Sequence, residues 1–331
     1  MNHVHIVIPD LFLPQTEAKN VCADLHLPLL EKFLACSTVH PLNIGALDVW
    51  LCQAFSVPEL SIAPVTLIAD GLNPEEGYWM RADPVHLRLN NAQVILQTNV
   101  SPSLEESQQL CESLNQYLAD SGIRFFAPHS KRWYVRLDCD PKLTTHSVYQ
   151  VEGRDSRHFL PRGETSLKWH GVMNEVQMLL YGHPISQSCE ARGGLPINSL
   201  WFWGGGKAVT LRQPYTKITS DSELVVAFAK TSKILHSVYA DNFIKQENQL
   251  FVWEGASVAL RRGDFYGWRQ SVLGFEQQCL APLLKSLASG GLDKITLDVL
   301  QENHSKCFEL TRPMLWRFWR RPKSFASYAL M

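Results

Sequence analysis

Residues 183–206 are HPISQSCEARGGLPINSLWFWGGG, and the rest of the chain is organised around this stretch. Gly182 and Pro184 end the helix that is predicted before it, because glycine suits the left-handed position that closes a helix and proline cannot continue one. Residues 200–203 are an apolar run that is typical of a strand buried on both faces. We therefore predict a crossover between two lobes, with Arg192 in a loop ahead of the strand.

The three glycines at the end of the stretch allow positive φ angles and the close approach of a ligand or another segment. They match neither familiar phosphate-binding motif. No Lys-Ser or Lys-Thr follows them, as a P-loop requires, and Gly204, Gly205 and Gly206 lack the GxGxxG spacing. A wide turn after a core strand is the simpler interpretation, and a ligand site stays open beside it.

A second segment, residues 81–86, combines an arginine, a carboxylate and a histidine. Because alternate side chains of a strand share a face, Arg81, Asp83 and, after Pro84, His86 are predicted to lie toward one side of a hairpin. An arginine beside an aspartate is usually a structural ion pair. The alternative is an anion site in which Arg81 offers its planar fork to a phosphate or carboxylate.

These two segments resemble parts of the archaeal-type cofactor-independent phosphoglycerate mutases, in which the first returns the chain to the core. The matching residues are His183, Pro184, Arg192, Gly194, Pro196, Asn198, Trp201, Trp203, Gly204 and Gly206. Residues 78–83 are similar to that family's Phe-Arg-x-Asn strand, with Asp83 where the family has Asn. The whole chain also resembles a bacterial family of regulatory proteins of the RpfE type.

The resemblance implies the fold of the alkaline phosphatase superfamily, to which these mutases belong. That fold is α/β, with a central sheet flanked by helices and interrupted here by an inserted smaller α+β lobe. We predict the first part of the core over 1–98, the inserted lobe over 99–195, and the second part of the core over 196–331. Residues 62–69 are predicted to form a strand that precedes the inserted lobe, and Ser103 and Glu106 to form a capping box within it.

The superfamily places a metal ligand, an aspartate, just after its first strand. Asp10 follows the predicted strand 4–8, at the edge where open α/β sheets bind their ligands, although a loop carboxylate or helix cap would have the same sequence. In the mutases, two later strands are followed by aspartate and histidine ligands. Here the loop that begins at Glu254 contains no histidine, and Asp298 and His304 are separated instead of adjacent.

Two-metal phosphoryl transfer needs several such ligands in fixed geometry. We therefore predict a regulatory or ligand-binding protein that has lost its metal site, needs no cofactor, and binds a phosphorylated or carboxylated metabolite between its lobes. The candidate ligand-binding residues are Arg81, Asp83, His86, His183, Arg192, Asn198 and Gly204. The alternative is an active phosphoglycerate mutase or related phosphotransferase that holds Mn or Zn.

Composition excludes several other classes of protein. The 331 residues carry a net charge of −1, which argues against a nucleic-acid binder that relies on bulk charge. Eight scattered cysteines without a CxxC pair fit free thiols in a reducing cytoplasm. No apolar run is long enough to span a bilayer, and the first residues do not resemble a signal peptide. We expect a cytoplasmic protein with no membrane and no nucleic-acid partner.

The C-terminal residues 312–323, RPMLWRFWRRPK, mix aromatic and cationic side chains. This pattern favours a strap in which Trp316 and Trp319 pack on the core while the arginines are solvated or stacked on rings. The alternative is an arm that binds a protein partner or an anionic surface. Scaffolding through tryptophan-rich surfaces is a third hypothesis for the function of the chain.

Overall fold

The computed structural model describes residues 2–74, 77–239, 248–302, 304–317 and 319–329. The strands are β1 (His3–Pro9), β2 (Thr38–Leu42), β3 (Tyr78–Asn90), β4 (Gln93–Gln97), β5 (Ile123–His129), β6 (Arg132–Leu137), β7 (Leu143–Thr144), β8 (Arg162–Gly163), β9 (Ser199–Gly206), β10 (Lys217–Thr219), β11 (Leu235–Ser237), β12 (Gln249–Val252), β13 (Lys294–Leu300) and β14 (Ser305–Thr311). The helices are α1 (Gln15–Val21), α2 (Pro28–Cys36), α3 (Leu47–Ala54), α4 (Ile62–Ala69), α5 (Leu104–Tyr117), α6 (Val148–Val151), α7 (Ser166–Gly182), α8 (Pro184–Ala191), α9 (Glu223–Thr231), α10 (Gly255–Arg261), α11 (Phe265–Phe275), α12 (Ala281–Ser289) and α13 (Phe325–Ala329). Short 3₁₀ turns cover Pro58–Leu60, Ser156–Phe159 and Arg312–Trp316.

Residue contacts divide the chain into two compact units. The core unit comprises Met1–Phe55 and Arg212–Met331, and the inserted unit comprises Ser56–Leu211. The inserted unit begins before residue 99 and ends after residue 195, so it is larger than the predicted lobe. The difference arises because β3 and β9, at the two ends of the insertion, pair with each other and not with the core sheet.

The core unit is built on a seven-stranded sheet in the order β11-β10-β12-β1-β13-β14-β2. Across the sheet, β11, β10, β12, β1 and β13 run parallel to one another, and β14 is antiparallel to both of its neighbours, β13 and β2. The parallel part of the sheet places the carboxyl ends of its strands along one edge, where α/β proteins bind ligands. The predicted α/β class, a central sheet flanked by helices, is confirmed.

The two faces of the central strand β1 differ in character. Val4, Ile6 and Ile8 lie in the main hydrophobic cluster, together with apolar side chains of α2, α11 and α12. Side chains alternate along a strand, so His3 and His5 lie on the opposite face. On that face a ring nitrogen of His5 bonds the Asp298 carboxylate of the neighbouring strand β13.

The inserted unit contains a five-stranded antiparallel sheet built around the long strand β3. The carboxyl-terminal part of β3 pairs with β4, and its first part lies between β6 and β9. Strand β5 continues the sheet beyond β6. Helix α5 packs on β5, and α7 packs on β9. The capping box that was predicted at Ser103 and Glu106 begins α5, and both of its hydrogen bonds are present.

Residues 62–69 were predicted to form a strand, and that prediction is wrong, because they form helix α4. Six of its eight residues, Ile62 to Leu67, are buried. A helix that is buried on all sides has no polar face, so its sequence lacks the periodicity that distinguishes a helix from a strand. Pro64 lies in the first turn, where a helix tolerates proline.

None of the helices in the described part of the chain is both long and apolar enough to cross a membrane.

Candidate functional site

Arg81 and Asp83 lie two residues apart on β3 and form an ion pair inside the inserted unit. Arg81 donates to Asp83 Oδ1 through Nε at 2.9 Å and through Nη2 at 2.5 Å. Their side chains are only 3% and 6% exposed. The alternation of the sequence thus placed the two side chains together, and the structure uses the guanidinium fork for an internal carboxylate.

The pair is enclosed by aromatic side chains from neighbouring strands. The guanidinium carbon of Arg81 lies 5.2 Å from the ring centroid of Trp203 and 5.5 Å from that of Tyr134. Trp203 Nε1 donates to Asp83 Oδ2 at 2.7 Å, so both carboxylate oxygens are bonded. Such contacts hold a cation by attraction to the ring faces as well as by its ion pair. An anionic ligand would have to displace Asp83 from this enclosure.

A second carboxylate, Asp70, extends this polar network to the end of α4. It accepts hydrogen bonds from Arg132 at 2.6 Å and 3.0 Å and from the Tyr134 hydroxyl at 2.7 Å. Burial acts to raise the pKa of Asp70, but the bonds from Arg132 and Tyr134 outweigh it and hold the pKa below its usual range. Burial raises the pKa of Asp83, opposed by Arg81 and the Trp203 N–H. The network therefore consists of groups that satisfy one another.

His86 and Asn198 fasten the segment ahead of β9 to the strand β3. His86 Nδ1 lies 2.8 Å from the carbonyl oxygen of Pro196, which can only accept, so this nitrogen carries the proton. The Asn198 side chain accepts from the Leu87 N–H at 2.8 Å and donates to the Leu87 carbonyl at 3.0 Å. The Asn198 side-chain amide thus makes the pair of hydrogen bonds that the backbone of a neighbouring strand would make to Leu87. Both polar side chains have protein partners.

His183 occupies the N-cap of helix α8, which begins at Pro184. Its Nδ1 accepts from the Ile185 N–H at 3.2 Å, which leaves the proton on Nε2, 3.1 Å from the Ser113 hydroxyl. Burial lowers the pKa of His183 and so favours the neutral ring that this cap requires. The predicted loop before Arg192 is therefore largely a helix, because proline is well suited to a first helical position.

Arg192 follows the last turn of α8 and lies at the surface. Its Nη2 donates to Glu106 Oε1 at 2.8 Å, and its side chain is 60% exposed. Arg81, by contrast, is buried with Asp83 in the sheet. The two arginines have separate carboxylate partners, and one is buried while the other is exposed. They therefore do not form a shared anion-binding site. All seven predicted ligand-binding residues lie in the inserted unit.

The glycines at the end of β9 belong to a strand and not to a loop. Gly204 has a φ of 63°, and Gly206 pairs with Trp79 of β3. A Cβ atom at Gly206 would lie 2.0 Å from the Ser61 hydroxyl oxygen, and one at Gly205 would lie 2.6 Å from the Tyr78 ring. At Gly205 and Gly206, glycine is therefore required by the close approach of the chain to itself.

In the core unit, Asp10 lies where it was predicted, at the carboxyl end of β1. It adopts a φ of 56°, and its N–H donates to the Leu300 carbonyl at 2.9 Å. Burial raises the pKa of its carboxyl group, while the Ser257 hydroxyl and the charge of Arg261 oppose that shift.

Asp298 lies within β13, two residues before the end of the strand. Its Oδ2 accepts from His5 Nε2 and from Trp50 Nε1, both at 2.8 Å, and the Tyr215 hydroxyl lies 3.0 Å from His5 Nδ1. His304 lies beyond the strand in an exposed position. Among the described residues, no group of three or more His, Cys, Asp or Glu side chains is placed to hold a metal ion.

The cluster of His5, Asp298, Trp50 and Tyr215 was not predicted from the sequence. Burial acts to raise the pKa of Asp298, but the hydrogen bonds that it accepts lower the pKa below its usual range. One signal was present, since His3 and His5 alternate with apolar residues in β1. That alternation indicates a strand with one polar face.

Comparison with solved structures defines the class of the fold. A structure of a protein from Pyrococcus horikoshii aligns with 94% of this chain and 87% of its own, with a TM-score of 0.54 and 12% sequence identity. At that identity the likeness concerns the fold alone. The α/β architecture of this chain, with its central sheet, thus resembles that of a solved structure.

Sequence comparison adds a family relationship for one part of the chain. A family model described as 2,3-bisphosphoglycerate-independent phosphoglycerate mutase matches residues 71–186. A probable mutase of this kind from Geobacter sulfurreducens is 33% identical over 107 residues, and one from Methanosarcina acetivorans is 27% identical over 108 residues. Each match spans 32% of this chain and 27% of the relative. Over this segment, which lies in the inserted unit, the chain is related to that family.

Proposed function

We propose that this chain is a non-catalytic binding protein with a regulatory role, built on a phosphoglycerate-mutase-like scaffold. The relatives carry the name of an enzyme, but the matched segment covers only about a quarter of their length. The family model matches residues 71–186, which lie within the inserted unit, and leaves the carboxyl edge of the core sheet unmatched. The activity of those enzymes therefore does not transfer to this chain by similarity alone.

The observation that carries the proposal is the position of Asp298. An aspartate that serves a ligand site at the sheet edge follows its strand, whereas Asp298 lies inside β13 and is 3% exposed. Its carboxylate holds His5 and Trp50 together across the sheet face. One oxygen of the Asp298 carboxylate is thus engaged in internal hydrogen bonds.

The proposed ligand is a small phosphorylated or carboxylated metabolite, and Arg192 is its best candidate contact. An exposed ion pair contributes only about 0–1 kcal/mol, so a phosphate can replace Glu106 at Arg192 at little cost. Arg81 differs, because breaking a buried pair costs about 3–5 kcal/mol. This comparison narrows the anion site expected from the sequence to the exposed arginine.

Titration of the purified full chain with 3-phosphoglycerate, followed by thermal shift, tests the proposal. We expect a rise in melting temperature that is lost in Arg192→Ala and kept in Lys168→Ala, which removes another exposed cation of the inserted unit. In parallel, elemental analysis and a coupled mutase assay with added Mn or Zn should show no stoichiometric metal and no turnover. Metal-dependent turnover that Asp10→Ala abolishes would establish the alternative, an active mutase, in place of the binding protein.

A further inference from the structure

The cationic tail segment, residues 312–323, exposes the two tryptophans that were predicted to pack on the core. Trp316 is 77% exposed and Trp319 is 66% exposed. The chain around them is nevertheless fixed. Met314 and Leu315 pack against the main hydrophobic cluster, and Phe325, just beyond the segment, is fully buried. The indoles are therefore held outward on an anchored backbone.

Two arginines of the segment fasten it to the end of helix α2. Arg317 Nη1 donates to the Cys36 carbonyl at 3.1 Å, and Arg320 Nη1 donates to the Ser37 carbonyl at 3.0 Å. The last carbonyls of a helix lack partners within the helix and carry partial negative charge, so cations are favoured there. Each guanidinium uses one nitrogen in these bonds and remains charged. The described part of the segment, residues 312–317 and 319–323, is thus tied to α2 and is rich in positive charge.

The charge of this surface is local. The segment contains five cations, Arg312, Arg317, Arg320, Arg321 and Lys323, and no aspartate or glutamate. Because the whole chain carries −1 and the segment carries +5, the rest of the chain carries −6. None of the five cations forms an ion pair with a carboxylate in the described part of the chain. Their charge is available to an external anionic partner.

We propose that the cationic tail segment binds the anionic surface of a phospholipid bilayer, with Trp316 and Trp319 in the headgroup region. Indoles are favoured at membrane interfaces, and basic side chains near them are attracted by anionic headgroups. This attachment is peripheral and needs no spanning helix. It departs from the expectation of no membrane, which rested on the lack of an apolar run.

The exposure of the indoles favours a bilayer over single-stranded nucleic acid. Trp316 is 77% exposed, so most of its indole is accessible to a headgroup layer. Nucleic acid also requires a row of cations along the path of its backbone. Here five of the 31 Lys and Arg residues lie together without an acid in one short segment, and the remainder of the chain carries a net negative charge.

The experiment is co-sedimentation of the full chain with vesicles of phosphatidylcholine, with and without phosphatidylglycerol. We expect binding to the vesicles that contain phosphatidylglycerol, weakening as salt is added, and little binding to neutral vesicles. Trp316→Ala with Trp319→Ala should lower the partition coefficient, because indoles favour the headgroup region. Separately, Arg321→Glu with Lys323→Glu should lower it about thirtyfold or more. Tyr266→Ala is the matched control, since Tyr266 is 73% exposed elsewhere in the core unit.

Each variant is first compared with the parent in thermal unfolding, so that a loss of binding is not a loss of fold. The proposal is overturned if the chain ignores vesicles of either composition, or if both tail variants bind them as the parent does. It is overturned as well if a single-stranded oligonucleotide binds the parent but not the tail variants, while vesicles do not bind the parent.

Discussion

Arg81 and Arg192 show, at the scale of single residues, how surroundings decide the role of the same side chain. Both donate to a carboxylate at short range, but the side chains of the first pair are 3% and 6% exposed and those of the second are 60% and 26% exposed. The sequence predicted that Arg81 and Asp83 would share a face. It could not predict Trp203, which is 120 positions away and completes the enclosure of Asp83.

We predict that Arg81→Ala lowers the free energy of unfolding by about 3–5 kcal/mol, because it leaves the carboxylate of Asp83 buried without its cation. Arg192→Ala, the matched control at the surface, should cost about 0–1 kcal/mol. Urea unfolding of both variants measures the difference. Replacing Asp83 as well, in Arg81→Ala with Asp83→Ala, should restore part of the loss. Equal, small effects of the two single substitutions would contradict the assignment of Arg81 as a buried structural group.

At the scale of elements, the sequence was informative where a local rule determines the structure. The capping box of α5 and the hairpin of β3 and β4 were predicted because both depend on residues close in the chain. Helix α4 was predicted wrongly as a strand, since a segment buried on all sides shows no polar period. The burial of Trp316 and Trp319 was predicted wrongly for a related reason. Composition indicates that aromatics favour burial, but not which of several aromatics will be buried.

The cationic tail segment is anchored by the neighbouring Phe325 and not by Trp316 and Trp319. The Phe325 ring is fully buried, with its centroid 5.6 Å from that of Phe12 and 6.2 Å from that of Trp268. We predict that Phe325→Ala lowers the free energy of unfolding by about 3–5 kcal/mol through loss of packing and creation of a cavity.

The matched controls for this prediction are Trp316→Ala and Trp319→Ala. Exposed substitutions of this kind change stability by no more than about 0.5 kcal/mol. Chemical denaturation of all three variants measures the contrast. A large loss in either tryptophan variant, with none in Phe325→Ala, would restore the strap as it was predicted from the sequence.

At the scale of the whole molecule, the α/β class could be predicted and the boundaries of the units could not. The class was implied by the resemblance of residues 78–83 and 183–206 to the cofactor-independent mutases. The boundaries depend on β3 pairing with β6 and β9, far along the chain, and nothing local in the sequence reports such pairings. For the candidate site, the ion pair of Arg81 and Asp83 was one of the two interpretations of the sequence, but the contacts of this pair with Trp203 and Tyr134 were not predicted.

We predict that residues 56–211, produced alone, fold cooperatively. This unit has its own fully buried aromatic side chains, including Trp133, Trp201 and Phe202, and every strand of its sheet lies within the range. The shorter fragment 99–195 is the matched control, since it lacks both β3 and β9 and should not fold. Circular dichroism and urea unfolding of the two fragments decide the matter. A cooperative transition in the shorter fragment, with none in the longer, would favour the narrower lobe.

The position of β1 constrains the order in which the core sheet can form while the chain is being synthesised. This strand is made before the other strands of its sheet, and both of its neighbours, β12 and β13, come from residues after 248. The nascent chain must therefore carry an apolar, unpaired strand while the inserted unit is translated and completes its own sheet. Domains of nascent chains fold as units, and unpaired strand edges are prone to aggregation. We infer that β1 stays without its sheet neighbours until residues 249–252 have been made.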